Sequence, residues 1–394
     1  MKRIVLGLAV VSLALQIQPA LAAEGIAVDM VADIHPERSS SPEYLTDVNG
    51  TVFFRANSTQ LWKTNGSRRS TEMLLRTVPR GTPYGPEEPA WLTDGGDVLY
   101  FASSDAVSND YELWRSDGTV AGTVPVVDLD PDGSSSPSSL TMAGDTLFFT
   151  AEVGTLGREL YKSDGTAGGT VLVKDIDPRG SSRPIFLAPF GDKVLFTANE
   201  TQVWVSDGTA AGTTMLTDLH PGSTTGPVSY TVSGGRVFFS GNDEIHGREL
   251  WATDGTRAGT HLVKDIDPNG SSQPSQLADV GGTLFFAADD GTAGRELWKS
   301  DGTSAGTVMV ADIAPAGSSK PLDLAVAGGM LFFEADDGVT DGELWTSDGT
   351  AAGTRLVEDI HPNGSSYPSM PVAAGGRLLF AATDVAHGRE LWIT

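Results

Sequence analysis

The chain of 394 residues contains no cysteine and has few basic residues for its length. Without cysteine it can form neither a disulfide framework nor a lipoprotein anchor. It has 51 acidic but only 26 basic residues, and the resulting net charge of −25 disfavours binding to nucleic acid or to anionic membrane surfaces. The same charge is compatible with divalent cations, basic partners, neutral glycans or simple solubility.

A long apolar run occurs at the N terminus, over residues 4–17, after Lys2 and Arg3 and before Ala20 and Ala22. The run is shorter than the roughly 20 residues that a membrane-spanning helix needs. Its order of basic, apolar and small residues predicts a secretory signal peptide over residues 1–22. We therefore expect an exported protein, periplasmic or extracellular, that does not insert into a membrane.

The rest of the chain lacks a sustained apolar period of 3.6 residues, so helices are not expected. Instead, versions of the phrase GRELWKSDGTxAGT recur eight times. Their aromatic residues are Trp62, Trp114, Tyr161, Trp204, Trp251, Trp298, Trp345 and Trp392. A nearly constant spacing of 43 to 52 residues, 47 in each of the last four steps, predicts one supersecondary unit that is copied and stacked.

One copy, residues 274–313, shows the content of the unit. Four short runs rich in Val, Leu, Phe and Trp are separated by GG, DDG and SDG, which are turn signals. The connections are too short for parallel crossovers, so the four strands, a to d in chain order, should form an antiparallel meander. Adjacent apolar residues such as Phe285 and Phe286 point to opposite faces, so each sheet needs a neighbour on both sides.

The two ends of the chain favour a ring over a linear stack. The chain stops just after its eighth c strand, whereas residues 26–34 resemble the d strand of residues 354–360, and a His-Pro turn follows both, at 35–36 and at 361–362. We predict an all-β fold, a single eight-bladed β-propeller over residues 23–394 with four-stranded antiparallel blades. The N-terminal strand would complete the last blade, a one-plus-three closure, and we expect a monomer.

The repeated phrase appears as ELWRSDGT at 112–119, ELWKSDGT at 296–303 and ELWTSDGT at 343–350. In these residues the chain resembles the bacterial ELWxxDGT repeat family, and the similarity covers essentially the whole mature chain. The resemblance implies an exported, propeller-like repeat protein. It implies no catalytic residues.

Strand direction sorts the loops of an antiparallel meander between two faces. The b–c and d–a loops share one face, here called the acidic face, and the a–b and c–d loops share the other. The repeated Asp of the SDGT phrase is predicted to form the c–d turn. The repeated Glu of GREL is predicted to bond a turn or a neighbouring blade. The acidic face has the more variable loops and is the predicted working face.

Two d–a loops follow the pattern D-x-D-x-[DN]-G, with the residues Asp128, Asp130, Asp132, Asp265, Asp267 and Asn269. This spacing allows alternate oxygens to converge on one Ca²⁺ ion. However, no Glu stands at the twelfth position, and Pro at the fourth favours a rigid turn in which Asp caps backbone amides. Calcium binding and a structural turn are therefore alternatives, and the pattern favours the turn.

Irregular parts of the acidic face are candidates for partner binding. Copy two contains a non-repetitive stretch with Arg80, Tyr84 and Trp91, and a b–c loop supplies Asp289 and Asp290. Aromatic residues with arginine favour contacts with proteins or sugars. Decay of a terminal repeat is the alternative explanation for the stretch.

No nucleophile–base constellation stands out in the sequence. The first functional hypothesis is therefore a non-catalytic exported scaffold that binds an extracellular protein or polysaccharide through the acidic face, with or without calcium. The second is a propeller enzyme, a hydrolase, lyase or quinoprotein-like protein, with its site at the axial funnel. The third is a calcium-stabilised surface protein. The fold alone does not choose among them.

Overall fold

The computed structural model of the chain describes residues 30–35, 39–77, 89–104, 110–219, 226–374 and 376–394. The predicted signal peptide lies outside these residues. The described parts of the chain contain 31 strands, two short 3-10 turns at Arg68–Ser70 and Gly154–Leu156, and no α-helix. The predicted all-β class is confirmed.

The strands form eight antiparallel sheets, numbered 1 to 8 in chain order, and within every sheet neighbouring strands are consecutive in the chain. Sheet 1 contains β1 Glu43–Val48, β2 Thr51–Ala56, β3 Gln60–Thr64 and β4 Glu72–Arg76. Sheet 2 contains β5 Ala90–Asp94, β6 Leu99–Ser104, β7 Tyr111–Ser116 and β8 Val124–Val127. Sheet 3 contains β9 Ser138–Ala143, β10 Thr146–Val153, β11 Gly157–Ser163 and β12 Val171–Lys174. Sheet 4 contains β13 Ile185–Phe190, β14 Lys193–Ala198, β15 Gln202–Ser206 and β16 Thr214–Asp218.

The second half of the chain repeats the pattern. Sheet 5 contains β17 Val228–Ser233, β18 Arg236–Asn242, β19 Arg248–Thr253 and β20 His261–Lys264. Sheet 6 contains β21 Ser275–Val280, β22 Thr283–Asp289, β23 Arg295–Ser300 and β24 Val308–Ala311. Sheet 7 contains β25 Leu322–Ala327, β26 Met330–Asp336, β27 Gly342–Ser347 and β28 Arg355–Glu358. Sheet 8 contains β29 Ser369–Ala374, β30 Arg377–Asp384 and β31 Gly388–Ile393.

The a–b turns show why the repeat contains paired glycines. In sheet 6 the turn residues Gly281 and Gly282 have φ angles of +59° and +89°. Two successive residues with positive φ are the requirement of a type I′ turn, whose twist matches that of the strands it joins. The GG signal therefore sets the a–b hairpin, as predicted.

Apolar layers between the sheets form the core. In sheet 6, Phe286 packs towards Phe238 of sheet 5, whereas Phe285 packs towards Phe333 of sheet 7. Both side chains of this doublet are almost completely buried, at 4% and 0% exposure. This doublet thus joins sheet 6 to the sheets on both sides, because neighbouring strand residues face in opposite directions.

The sheets converge on their first strands. Contacts between the a strands link sheet 1 to sheet 2 and continue, pair by pair, to sheet 8. Sheets that meet along one strand and spread apart towards the fourth are the blades of an eight-bladed β-propeller. The predicted architecture is confirmed, and the loops before each a strand lie around its centre.

The one-plus-three closure stays a prediction. Sheet 8 has three described strands, residues 30–34 form no strand, and residues 26–29 lie outside the described parts of the chain. Apolar side chains are exposed at both ends, with Leu45 of sheet 1 at 68% and Leu391 of sheet 8 at 70%. Among the described residues, no helix has the length and apolarity to cross a membrane.

Candidate functional site

The repeated Asp of SDGT is a turn residue, as predicted. In sheet 6, Oδ1 of Asp301 accepts hydrogen bonds from the amide and hydroxyl of Thr303, at 2.8 and 2.7 Å. The Thr303 hydroxyl in turn accepts the amide of Gly306 at 2.9 Å. The hydroxyl and amide of Thr303 lower the pKa of Asp301. A Cβ at Gly306 would overlap the Asp301 carboxylate, which explains the glycine in the phrase AGT.

The repeated Glu of GREL fastens the d–a loop, which confirms the predicted turn contact. Glu296 has no exposed surface. Its carboxylate accepts the amides of Ile313 and Ser319 at 3.0 and 2.9 Å, and the Ser319 hydroxyl at 2.6 Å. The equivalent residues that accept amides of their own d–a loops are Glu112, Glu159, Glu249 and Glu343. One c strand thereby holds the loop that leads to the next sheet.

Sheets 1 and 4 have glutamine at this position. Oε1 of Gln60 accepts the indole N–H of Trp62 at 2.9 Å, and Oε1 of Gln202 accepts that of Trp204 at 3.0 Å. A neutral amide therefore bonds the anchor tryptophan of its own sheet, whereas the carboxylate of sheets 2, 3, 5, 6 and 7 bonds the loop. These two sheets also have short b–c turns, of residues 57–59 in sheet 1 and 199–201 in sheet 4.

The calcium candidates are partly engaged in the d–a turns. Within the d–a turns, Asp130 accepts the Asp132 amide at 3.4 Å and Asp267 accepts the Asn269 amide at 3.1 Å. Asp130 also accepts the Gly154 amide of the b–c turn at 3.1 Å. Asp128 and Asp132 are exposed, and Oδ1 of Asp265 is buried without a hydrogen-bond partner. No group of three or more His, Asp or Glu side chains is arranged to hold a metal ion in the part of the chain that the structure describes.

The partner-binding candidates separate into three groups. Asp289 and Asp290 hold the b–c turn: Asp289 accepts the Gly291 amide at 2.8 Å, and Asp290 accepts the Ala293 amide at 2.8 Å. Arg80 and Tyr84 lie outside the described residues. Trp91 is described, with 47% of its surface exposed.

The structure adds a further set of residues, of which only Trp91 was singled out from the sequence. The second residue of every a strand has a left-handed backbone, with φ between 52° and 63°, at a β-bulge where the a–b pairing shifts. These bulge residues are Tyr44, Trp91, Ser139, Phe186, Ser229, Gln276, Asp323 and Met370. A left-handed conformation costs a residue with a side chain about 1 kcal/mol or more.

The bulge residues differ from sheet to sheet although the framework around them repeats. They lie at the start of the a strands, on the acidic face and around the centre of the propeller. Tyr44, Trp91 and Phe186 expose about half of their surface, at 51%, 47% and 49%. The signal in the sequence was available: in the phrase SSxPxxL the serines, the proline and the leucine recur, while the residue two places after the proline varies from copy to copy.

The position three residues earlier adds a second variable residue to six of the eight sheets. Ser41, Ser136, Arg183, Gln273, Lys320 and Tyr367 precede the proline of the d–a loop and also have positive φ, between 42° and 49°. Each sheet with this loop thus presents two side chains whose residue types vary between sheets, at fixed positions of a repeated backbone. Bulges often aim a side chain at a functional site.

The buried glutamates make stability depend on pH. Burial raises the pKa of Glu249 and Glu296, against the lowering effect of their hydrogen bonds. A carboxyl group with a raised pKa in the folded state is more easily accommodated there when it is protonated. The folded state therefore loses stability as the pH rises through that raised pKa and the group ionises. The hydrogen bond to Asp243 raises the pKa of His246 above its ordinary value of 6.5. Deprotonation of His246 at a pH above 6.5 therefore also lowers the stability of the fold.

We therefore expect the melting temperature to rise when the pH falls from about 8 to about 5. Asp301 and its equivalents have lowered pKa values, so their turns lose stability only below their ordinary value of 3.8. Calorimetry across this range would measure the change. A melting temperature that falls steadily from about pH 8 to about pH 5 would contradict the expectation.

No family model and no curated protein sequence matches the chain. Among solved structures, the computationally designed Ika8 protein is similar with a TM-score of 0.50 and 15% identity, over 91% of this chain and 97% of the other. A puromycin-hydrolyzing peptidase of Mycobacterium tuberculosis gives a TM-score of 0.42 at 13% identity, over 87% of this chain and 58% of its own. Prolyl endopeptidases give 0.45 at 13% identity, and the chain spans only 54% of their length. These similarities concern the fold alone.

Proposed function

We propose that the protein is an exported, non-catalytic scaffold that binds a polysaccharide through the acidic face. The observation that carries the proposal is the set of exposed aromatic residues at the bulges of sheets 1, 2 and 4. Tyr44, Trp91 and Phe186 present large rings from a fixed backbone, so little conformational entropy is lost when a ligand binds.

The chemistry of these side chains suits a sugar polymer. A pyranose ring has an apolar C–H face, which stacks on an aromatic ring, and hydroxyl groups at its edge. Ser139, in sheet 3, lies between the aromatic bulge residues of sheets 2 and 4 and offers a hydroxyl. The predicted closure would bring Tyr367 and Met370 of sheet 8 beside sheet 1 and extend the same arc.

The acids of the repeat support binding rather than catalysis. Asp301 and its equivalents accept turn amides, and Glu296 and its equivalents accept loop amides. Each of these carboxylates therefore has a structural task that accounts for its repetition. The hypothesis of a propeller enzyme would need residues that occur once and meet at the axis.

We expect mature protein on a glycan array to bind a polysaccharide that remains intact. Trp91→Ala and Tyr44→Ala should each weaken binding about tenfold, because each removes a stacking surface. Val308→Ala is the matched control, since Val308 is also exposed but lies on the outer strand of sheet 6. Affinity can be measured by titration calorimetry on the best glycan.

Three results would contradict or redirect this proposal. Equal affinities for all variants would remove the bulge residues from the site. Shortened glycan products would support the enzyme hypothesis. Capture of a protein with no glycan binding would favour the protein-binding form of the scaffold. Running the titrations in Ca²⁺ and in EDTA tests calcium, because loss of binding in EDTA would support an assisting ion.

A further inference from the structure

Sheet 1 contains an open polar pocket of about 470 Å³ on the acidic face. It is lined by Arg55, Arg76, Gln60 and Asn57, together with Glu43. Its size is within the range of small-molecule sites. The b–c turn beside it is short, because β2 ends at Ala56 and β3 begins at Gln60.

Comparison with sheet 3 shows how the pocket arises. There, Nη1 of Arg158 from the c strand reaches the Ser136 carbonyl at 2.9 Å, the Ser138 hydroxyl at 3.1 Å and the Thr150 hydroxyl at 3.3 Å. By strand pairing, Ser138 and Thr150 correspond to Glu43 and Arg55 of sheet 1.

The position of Arg158 itself is taken by Thr59 in sheet 1, which is too short to fill the same space. Sheet 4 also has a threonine there, Thr201, but Tyr230 of sheet 5 reaches into that region and its hydroxyl bonds Thr197 at 2.8 Å. The equivalent of Tyr230 next to sheet 1 is Leu92, which has no polar group. Among the described residues, no side chain therefore fills the corresponding space in sheet 1.

In sheet 1 the guanidinium group in this region belongs to Arg55 of the b strand, not to a c-strand residue such as Arg158 of sheet 3. Arg55 is 3% exposed, forms an ion pair with Glu43 and lies 4.7 Å from the centre of the Tyr44 ring. The pocket is thus continuous with the aromatic bulge residue of the same sheet. Glu43 is the pocket's acid, and its charge is already balanced by Arg55.

Besides His35 and the hydroxyls of Ser39, Ser41, Ser58 and Thr59, the pocket offers two donor side chains, Arg76 and Gln60. Arg76 is exposed at the end of β4 and forms no ion pair with a residue that the structure describes. Gln60 is 8% exposed, and its oxygen is used by Trp62 and Asn57, which leaves its amide N–H groups for a ligand. A guanidinium and an amide donor beside each other favour a carboxylate.

We propose that this pocket binds the carboxylate of an acidic sugar, a hexuronate unit of the polysaccharide that the bulge residues bind. The inference rests on the proposed function. The net charge of −25 does not prevent it, because charges more than about 8 Å away are largely screened at physiological ionic strength. Tyr44 would stack on the sugar ring while Arg76 binds its carboxylate.

The test uses glucuronate and glucose as a charged and a neutral probe of similar shape. We expect calorimetry or NMR titration of the full mature chain to detect glucuronate binding that weakens as salt is added, and much weaker glucose binding. Arg76→Gln should reduce the affinity for glucuronate by about tenfold or more. Arg257→Gln is the control, because Arg257 is exposed on the opposite face.

The outcomes separate this inference from the proposed function. Equal glucuronate affinity in Arg76→Gln, or equal affinities for glucose and glucuronate, would overturn the pocket assignment. Binding of neutral polysaccharides without glucuronate binding would overturn it as well but leave the proposed function intact. Glucuronate binding without retention of any polysaccharide would keep the pocket and contradict the proposed function. Tighter binding of an acidic peptide than of an oligouronate would contradict the assignment of a hexuronate as the ligand of the pocket.

Discussion

Replacing Glu296 by alanine is expected to lower the free energy of unfolding by about 4 kcal/mol. The substitution removes an acceptor from the buried amides of Ile313 and Ser319 and from the Ser319 hydroxyl. Each buried donor left without a partner costs about 1–3 kcal/mol. Urea unfolding of the mature protein, followed by tryptophan fluorescence, would measure the loss. A decrease in the free energy of unfolding of less than about 1 kcal/mol would contradict the role of Glu296 in holding the d–a loop.

Two variants sharpen this experiment. Glu358→Ala is the matched control, since Glu358 is exposed on the d strand of sheet 7, and it should stay within about 0.5 kcal/mol of the native protein. Glu296→Gln should lose less than the alanine variant. Its amide can adopt the arrangement of sheets 1 and 4, because the indole N–H of Trp298 has no hydrogen-bond partner among the described residues.

The architecture could be predicted from the sequence because each signal repeats. A single SDGT would be an ordinary turn, but eight related phrases at nearly constant spacing indicate a stack of identical sheets. Adjacent phenylalanines, such as Phe285 and Phe286, then require neighbours on both sides, and the structure provides them. The tasks of Asp301 and Glu296 follow from the same logic, since residues present in most copies hold the copies together.

The candidate site was harder to predict because it depends on departures from the repeat. Trp91 was identified from an irregular stretch, but Tyr44 and Phe186 were not, since neither is a residue type that favours positive φ. Their conformation comes from the bulge, which depends on strand pairing rather than on local preference. The pocket of sheet 1 could not be predicted from the sequence for a similar reason. Its arginine, Arg55, lies on the b strand, whereas the corresponding arginine of sheet 3, Arg158, lies on the c strand.

The calcium motif illustrates the opposite difficulty. Asp265, Asp267 and Asn269 have the spacing of a calcium loop, yet an Asp that caps a turn amide needs the same spacing. Sequence alone therefore leaves both interpretations open. In the structure, Asp267 accepts the Asn269 amide, and this contact agrees with the turn interpretation that the proline favoured.

The closure of the ring leads to the other large expected effect. A mature chain that begins at His35, and so lacks the predicted strand over residues 26–34, should unfold at a lower temperature than one that begins at Gly25. It should also associate as its concentration rises. The strand would add about four backbone hydrogen bonds and bury Ile26 and Val28, together worth about 5 kcal/mol. Its loss would leave β31 as an open edge.

Light scattering coupled to gel filtration and a thermal melt would compare the two chains directly. Equal melting temperatures and monomeric behaviour of both would contradict the closure, because the N-terminal segment would then contribute nothing to sheet 8. The result bears on the proposed site as well. Only a closed ring brings Tyr367 and Met370 beside Tyr44, so loss of closure should also weaken polysaccharide binding without any change in the bulge residues themselves.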